Sequence, residues 1–594
     1  MLSLIISAQQ ETDSTRLFYN IASGGDDLFL DSTEYSKKLD GFHQYRPELK
    51  YGRFYQRESN IGHALRPLDF SIQDFVKATD QDLLFSDPYY PYLWRKDNIR
   101  YYTSLKPITD LYYVMGQNSE QYFKVLHAQP VTKRFYFSVE HKILNSPGTY
   151  QHHLSNHESP VLNLRYNSNN QKYHALVTYF HNKVEANDNG GIQHTGYFTD
   201  SLNFEERELI PVNLPNSKLL IRGGGFHFRQ SFYPSADSTT MRDSLGTGFY
   251  HDFFYQKDSY RYTDGGNIFG FYPDSAGIEP VEDTLATKQF INTIGSRFKY
   301  KSISFDINLS HKFYSAWQQQ NDSTMNMFET SITTKFKKQD WSFKLYGDLG
   351  FLKNHQEWKL MGDVKKSFGK IQLLFSGGYV NAMPAYFLNR YQSTYYDWEN
   401  DFDNTDIGFL SAKAKHQYFN ASVSLYEIAD YIYFNPVGDP QQHDQSFQLM
   451  QIRLNPEFAW KGIHLKNNLI YQKVLGENLL RLPQYMASHQ LYYSFNLIQG
   501  VLSTQAGVQL TYHTSFKGHK YIPASQAFII QNDQKLGNYP YLDVFANFYV
   551  KRTRIFVKYS HVNALLGNKS YFLMPSYPMR DECFQFGISW MFYD

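Results

Sequence analysis

The residues of this chain best suited to chemistry are histidines, and the tightest group is His152, His153 and His157. Imidazoles at such spacing suit zinc, which takes nitrogen, sulfur and carboxylate donors in a tetrahedral set. No cysteine or paired carboxylate stands beside them, so the group reads as loop surface. Gly223-Gly224-Gly225 has the glycine content of a phosphate-cradling loop. No Lys-Ser/Thr follows and no strand–helix–strand unit surrounds it, so a kinked strand is expected instead. Serine and histidine are plentiful, yet the sequence has no nucleophile elbow that would mark a hydrolase triad. The one cysteine, Cys583, excludes an intramolecular disulfide and reads as a packed small side chain. No catalytic residue, metal or cofactor is therefore expected, and the chain is read as a non-enzyme.

With no reaction centre in view, the elements carry the reading. The chain has 594 residues, a net charge of +1 and a mean hydropathy of −0.53, yet 18% of it is aromatic, with 50 Tyr and 48 Phe. The near-neutral charge argues against nucleic acid as a partner. Tyr and Phe favour strands, and they favour bilayer interfaces, where one end of the ring is apolar and the other wet. A polar average with an aromatic excess results when apolar and polar residues alternate along long strands. No segment approaches the run of about 18 apolar residues that a transmembrane helix needs. The opening residues MLSLIISAQQ form a short apolar run ending in Ser7-Ala8. Residues 1–8 read as the remnant of a secretory signal peptide without its basic part, and a start upstream of Met1 is suspected from this but left open.

The period-two pattern is clearest at the C-terminus. Phe584, Phe586, Ile588, Trp590 and Phe592 share one strand face, while Gln585, Gly587, Ser589 and Met591 share the other. Upstream, Ile303, Phe305, Ile307 and Leu309 alternate with Ser304, Asp306, Asn308 and Ser310. Phe343, Leu345 and Leu349 alternate with Ser342, Lys344 and Asp348. Leu502, Ala506 and Val508 alternate with Ser503, Gln505 and Gln509 on a run that ends at His513. Val544, Ala546 and Phe548 alternate with Asp543 and Asn547. Such runs reach about ten residues, the length that a tilted strand needs to cross a bilayer. The polar set, with Lys558, is expected to face a watery lumen. Phe305, Ile307, Leu345, Val508 and Phe548 are expected to face lipid. The final strand, from Glu582 to Tyr593, is expected to be the segment that the barrel-assembly machinery grips before closure.

Connections are expected to alternate strictly between short and long. Short turns fall at 300–301, 338–340, 369–370, 461–462, 499–500 and 551–552. Long segments span 316–324, 381–406, 435–445, 475–488, 517–540 and 563–581. Short periplasmic turns opposite long extracellular loops mark an all-β, antiparallel, up-and-down outer-membrane barrel. Hairpins counted from Asp110 give roughly 22 strands, within an even range of 16–24. The barrel is assigned to 96–594. Residues 9–95 are rich in Asp, Ser, Arg and Pro, with Pro67, Pro88 and Pro91 interrupting any strand. They read as an irregular segment, periplasmic or inserted in the lumen.

The stretch Tyr101 to Gly116 (YYTSLKPITDLYYVMG) and the following EQYFKVLH from Glu120 to His127 resemble the putative porin family of bacterial outer-membrane β-barrels. Arg390-Tyr391, the run from Tyr396 to Phe402, and Gly190-Gly191-Ile192 extend the likeness over most of the chain. The resemblance implies a barrel in the outer membrane of a Gram-negative cell, surrounded by outer-membrane lipid. It suggests a porin-like channel for passive diffusion of small hydrophilic solutes. A structural or docking barrel with a plugged lumen, binding partner proteins, is the alternative. Tyr426 to Tyr433 is also similar to strands of TonB-dependent transporters. The segment before the barrel is shorter than their usual plug and carries no clear energy-coupling box, so that reading ranks lower, as does an outer-membrane hydrolase. Asp306, Asp348 and Asp543 are mixed with Lys344 and Lys558 on the polar face, which leaves the solute and the ion selectivity open, and the oligomeric state with them.

Overall fold

The computed structural model describes residues 39–47, 49, 53–81, 88–102, 106–199, 206–236, 246–266, 270–273, 279–319, 321–353, 355–567 and 571–593. The signal-peptide remnant expected over residues 1–8 lies outside them, as does the start of the irregular segment.

The long alternating runs become long strands. The first seven are β1 (Ile108–Met115), β2 (Gln121–Pro130), β3 (Phe135–Ser146), β4 (Ser155–Asn167), β5 (Tyr173–Ala186), β6 (Lys218–Phe232) and β7 (Gly248–Asp264). The middle of the chain forms β8 (Val281–Tyr300), β9 (Ile303–Gln318), β10 (Asn321–Lys338), β11 (Trp341–Leu352), β12 (His355–Phe368), β13 (Ile371–Ala382), β14 (Thr405–His416) and β15 (Phe419–Ala429). The last seven are β16 (Phe447–Trp460), β17 (Ile463–Leu475), β18 (Tyr485–Ile498), β19 (Leu502–His513), β20 (Tyr541–Val550), β21 (Thr553–Ser560) and β22 (Cys583–Tyr593). Each pairs antiparallel with its neighbours in sequence, and β22 closes onto β1 with Ile108 opposite Tyr593 and Met115 opposite Phe586. The result is a closed barrel of 22 strands.

The turns 301–302, 339–340, 369–370, 417–418, 461–462 and 551–552 lie at the same end as the C-terminus, which is the periplasmic end of such barrels. The opposite end carries the long connections 187–217, 383–404, 430–446, 514–540 and 561–582. Strict alternation does not hold throughout. The loop expected over 316–324 is mostly strand: β9 runs to Gln318 and β10 starts at Asn321, with Ala316 opposite Ser323 and Trp317 opposite Asp322. Polar residues there resemble loop because the hairpin tip extends past the hydrocarbon, exposed at Asn321, Asp322 and Thr324 while Ala316 and Gln318 pack inward and are buried. At the periplasmic end, β6 stops at Phe232 and β7 begins only at Gly248.

The two faces of the wall differ as period two requires. Phe305, Ile307, Leu345 and Val508 are 43, 39, 52 and 37% exposed on the outer face, with Phe548 half-buried beside them. Asp306, Asp348, Gln509, His513, Asn547 and Lys558 are buried on the inner face. Tyr300, Trp341, Phe368, Trp460 and Trp590 project outward near the periplasmic turns. Lys366 reaches back over the Trp341 ring at 4.5 Å and Lys461 over Trp460 at 5.0 Å. Trp317, Trp358 and Tyr379 project outward at the other end, the last two stacked at 5.0 Å. Two aromatic girdles thus bracket the apolar band, and the protein resides in the outer membrane.

Arginine at Phe305 or Leu345 is expected to lower barrel stability by about 2–4 kcal/mol, against little at the inward Ser304, which lies away from the plug. Urea titration of the refolded barrel measures the difference, and equal losses from both sets would reverse the facing. Deleting residues 582–594 is expected to abolish membrane insertion, because β1 and β21 would be left with open edges in lipid. Membrane-fraction yield and heat-dependent gel mobility report the outcome.

Candidate functional site

The segment before β1 lies within the barrel, and its side chains bond to the inner faces of two separate sectors of wall. Its order comes from short pieces: a two-stranded ribbon of Tyr55–Arg57 and Leu65–Pro67, and the helix α1 (Ile72–Gln81). Gly62 sits at φ 91°, and a Cβ there would lie 2.9 Å from Ser155 and Leu144 of the wall, so only glycine lets the chain pass so close. The prolines that break regular structure leave backbone polar groups needing partners, and wall amides supply them.

One sector is β16–β22. Asp40 accepts hydrogen bonds from Lys466 Nζ at 2.8 Å, Gln505 Nε2 at 2.9 Å and Tyr492 at 3.2 Å. The His43 ring stacks on Phe545 at 3.7 Å and meets Gln509 and Asn547 at 3.2 Å. Burial, with the Lys558 cation beside it, holds the His43 imidazole well below its ordinary pKa. Tyr45 donates to Glu120 and accepts from Gln585 at 3.0 Å. Asp69 is shared by Arg53 of the plug at 3.0 Å and Arg453 of the wall.

The other sector is β3–β7. The Trp94 N–H donates to Asn182 at 2.8 Å, its indole N–H to the Ser159 carbonyl at 2.9 Å, and Lys142 Nζ lies 3.3 Å above its ring. Arg95 pairs with Asp258 at 2.9 Å and Lys96 with Asp252 at 2.6 Å. Tyr101 meets His227 at 2.9 Å, and Tyr102 donates to Glu140 at 2.9 Å. The Gly223–Gly225 triplet, which held no phosphate motif, lies in β6 beneath this contact. A Cβ on Gly223 would sit 1.8 Å from Asp258 Oδ1, so the glycine is what lets that carboxylate turn toward Arg95.

At the outer mouth the loops pack on one another and on the plug. Tyr272 stacks on Tyr395 at 4.0 Å and Tyr391 on Trp398 at 4.6 Å. Strands 432–434, 440–442, 520–522 and 527–529 form a small sheet joining two loops. Gln56 and His519 bond to each other's amide groups, tying plug to loop.

The residues expected to face the lumen divide into two groups. Gln505, Gln509 and Asn547 hold the plug directly. Asp543 supports them through Lys558 at 2.8 Å, and the His513 ring meets the Thr514 carbonyl at 3.2 Å. Ser304, Asp306, Asn308, Lys344 and Asp348 lie on the wall away from it. Asp306 pairs with Arg297 at 2.6 Å, Asn308 donates to Ser331 at 3.1 Å, and Lys359 lies 3.6 Å from Asp348. Near the periplasmic end of that wall, Lys299, Lys335, Lys344, Lys365, Lys413 and Lys415 share the inner face. Lys344, Lys365, Lys413 and Lys415 are exposed. Asp363, opposite Lys344, is the acid among them.

Sequence reasoning missed Trp94, Arg95 and Lys96, although a Trp followed by two cations in a Pro-broken segment signals an anchored one. It also misjudged two histidines. His153 and His157 are buried rather than on a loop surface.

A family model described as putative porin matches residues 18–594. No curated protein matches the chain. Among solved structures, the FrpB iron transporter from Neisseria meningitidis is similar at TM-score 0.58 and 9% identity, over 82% of this chain and 81% of that one. The siderophore receptor PirA from Acinetobacter baumannii is similar at TM-score 0.57 and 10% identity, over 82% and 80%. A mutant of the ferric enterobactin receptor PfeA from Pseudomonas aeruginosa reaches TM-score 0.58 at 10% identity, over 85% and 86%. The expectation of a passive diffusion channel is corrected on this finding: the similar barrels are receptors and transporters, and the lumen here holds the chain's own N-terminal segment.

Removing one partner of the buried Arg95–Asp258 pair is expected to weaken plug seating by about 3–5 kcal/mol, because the charge that remains loses its counter-charge across the plug–wall contact. Arg95→Met with Asp258→Leu together should cost far less. Limited proteolysis of residues 39–102 in the intact barrel reads both, and equal sensitivity of single and double variants would show that the pair does not hold the plug.

Proposed function

The chain belongs to the putative porin family, and from that premise we propose that it is a gated outer-membrane transporter whose N-terminal segment is the plug. The observation that carries this reading is the seating of the plug by paired charges and amides on both β3–β7 and β16–β22. A diffusion pore gains nothing from so many ties across its water path, whereas a gate needs a closed state with defined contacts to break. The similarity in fold to iron transporters and siderophore receptors supports uptake of a solute captured at the outer face.

The inner wall also supports a choice of charge. The sector outside the two that bond to the plug, where among the described residues only apolar plug residues such as Phe70 and Ile72 pack on the wall, presents lysines toward the periplasmic mouth, with Asp363 among them. A lumen lined by one sign of charge concentrates the opposite ion. The reading is therefore of a lumen that favours anionic solutes once the plug moves.

Planar-bilayer recording tests both parts. The full chain is expected to stay closed, and a chain lacking residues 39–102 is expected to conduct with anion selectivity. Lys344→Glu with Lys413→Glu should shift the reversal potential toward cations. A full chain that conducts as steadily as the deletion would sink the gating reading.

A further inference from the structure

We propose that Glu58, His63, His153 and Asp188 form a site for one divalent transition-metal ion, zinc by its donor chemistry, which clamps the plug to the outer loops. Glu58 and His63 belong to the plug. His153 closes the connection between β3 and β4, and Asp188 opens the one between β5 and β6. All four side chains are at most 1% exposed.

The donor atoms of Glu58, His63 and His153 converge, and Asp188 joins them through its contact with His63. His63 Nδ1 lies 2.9 Å from Asp188 Oδ1 and 3.3 Å from Glu58 Oε2, and His153 Nε2 lies 2.8 Å from the same Glu58 oxygen. The donor atoms of Glu58, His63 and His153 all fall within 4.8 Å of one another. Zinc bonds of roughly 2.0–2.2 Å to nitrogen and oxygen place tetrahedral ligand atoms about 3.3–3.6 Å apart, a little wider than the 2.8, 2.9 and 3.3 Å contacts here. Two imidazoles with two carboxylates suit zinc, whereas calcium or magnesium would call for oxygen alone.

A purely hydrogen-bonded cluster explains these groups less well. His63 Nε2 lies 3.2 Å from the His153 carbonyl, which only accepts, so that nitrogen carries the proton. In the neutral ring Nδ1 is then a bare lone pair, yet it points at two carboxylate oxygens. A backbone carbonyl that fixes the tautomer in this way is the usual support of a metal-bound histidine. Among the described residues no Lys or Arg pairs with Glu58 or Asp188, and Glu58 Oε1 and His153 Nδ1 are buried without a hydrogen-bond partner. Two carboxyl groups buried this close cannot both stay charged without positive charge beside them, and a dication supplies it. Tyr89 donates to the far oxygen of Asp188 at 3.0 Å and orients it.

The metal site stands on its own geometry, so failure of the gating experiment would leave it untouched. The test is zinc titration of the purified full chain after chelator treatment, read by calorimetry and elemental analysis. One zinc per chain is expected. His63→Asn, His153→Asn and Glu58→Gln should each weaken binding by more than about 100-fold, while His157→Asn, buried nearby but outside the donor set, should bind as the unmodified chain does. Cobalt in place of zinc should give the strong visible absorption of a tetrahedral site. That spectrum decides the matter on the unmodified chain even if the variants do not fold. Less than one zinc per chain, no tetrahedral cobalt band, or unchanged affinity in Glu58→Gln would each overturn the proposal.

Discussion

A strand that ends in hydrocarbon without a neighbour leaves its N–H and C=O groups unpaired at several kcal/mol each. This chain meets that constraint by joining its first wall strand to its last, Ile108–Met115 to Cys583–Tyr593. The alternation of side chains, the girdles and the length of every strand take their meaning from closure. Without it there is no inside or outside, and the facing of Asp306 or Phe305 would be arbitrary.

Closure creates a second problem, because the inner wall is polar and broad enough to need filling. Water fills it in open channels. Here the N-terminal segment takes much of that place, presenting Arg95 and Lys96 to Asp258 and Asp252, and His43 to Gln509 and Asn547. The charges of Arg95 and Lys96 are stable there because each finds an opposite charge. The wall's own pairs, Arg297 with Asp306 and Lys558 with Asp543, follow the same rule.

The barrel was legible in the sequence because period two is local. Phe584 to Phe592 shows its face without reference to any other strand, and a two-residue turn such as Lys461-Gly462, with both residues at positive φ, needs only its own sequence. The hairpin from Ala316 to Thr324 was lost because polar strand above the membrane has the composition of loop. The plug's contacts were lost for a different reason. His153 looks solitary among its neighbours in sequence, and the carboxylate it meets, Glu58, is 95 residues away. Likewise the glycines at 223–225 resemble a loop motif until Asp258 and Arg95 are seen across them. The corrected function follows from the same gap: whether a barrel is open depends on pairs that periodicity does not reveal.

The plug is continuous with the strand that seals the wall, and this sets an order of events. Asp40 bonds to Gln505 across 465 residues, and Tyr45 to Gln585 across 540. Synthesis delivers the plug first and its partners last, so these bonds wait on nearly the whole chain. Contacts so distant along the chain are slow to form. Once β22 has met β1, the wall has no gap through which a displaced plug could enter from the side. The segment must therefore be gathered among unfinished strands, or threaded from the periplasmic mouth afterwards. In either case the time spent waiting falls in the periplasm, where a segment this polar stays in solution without a partner.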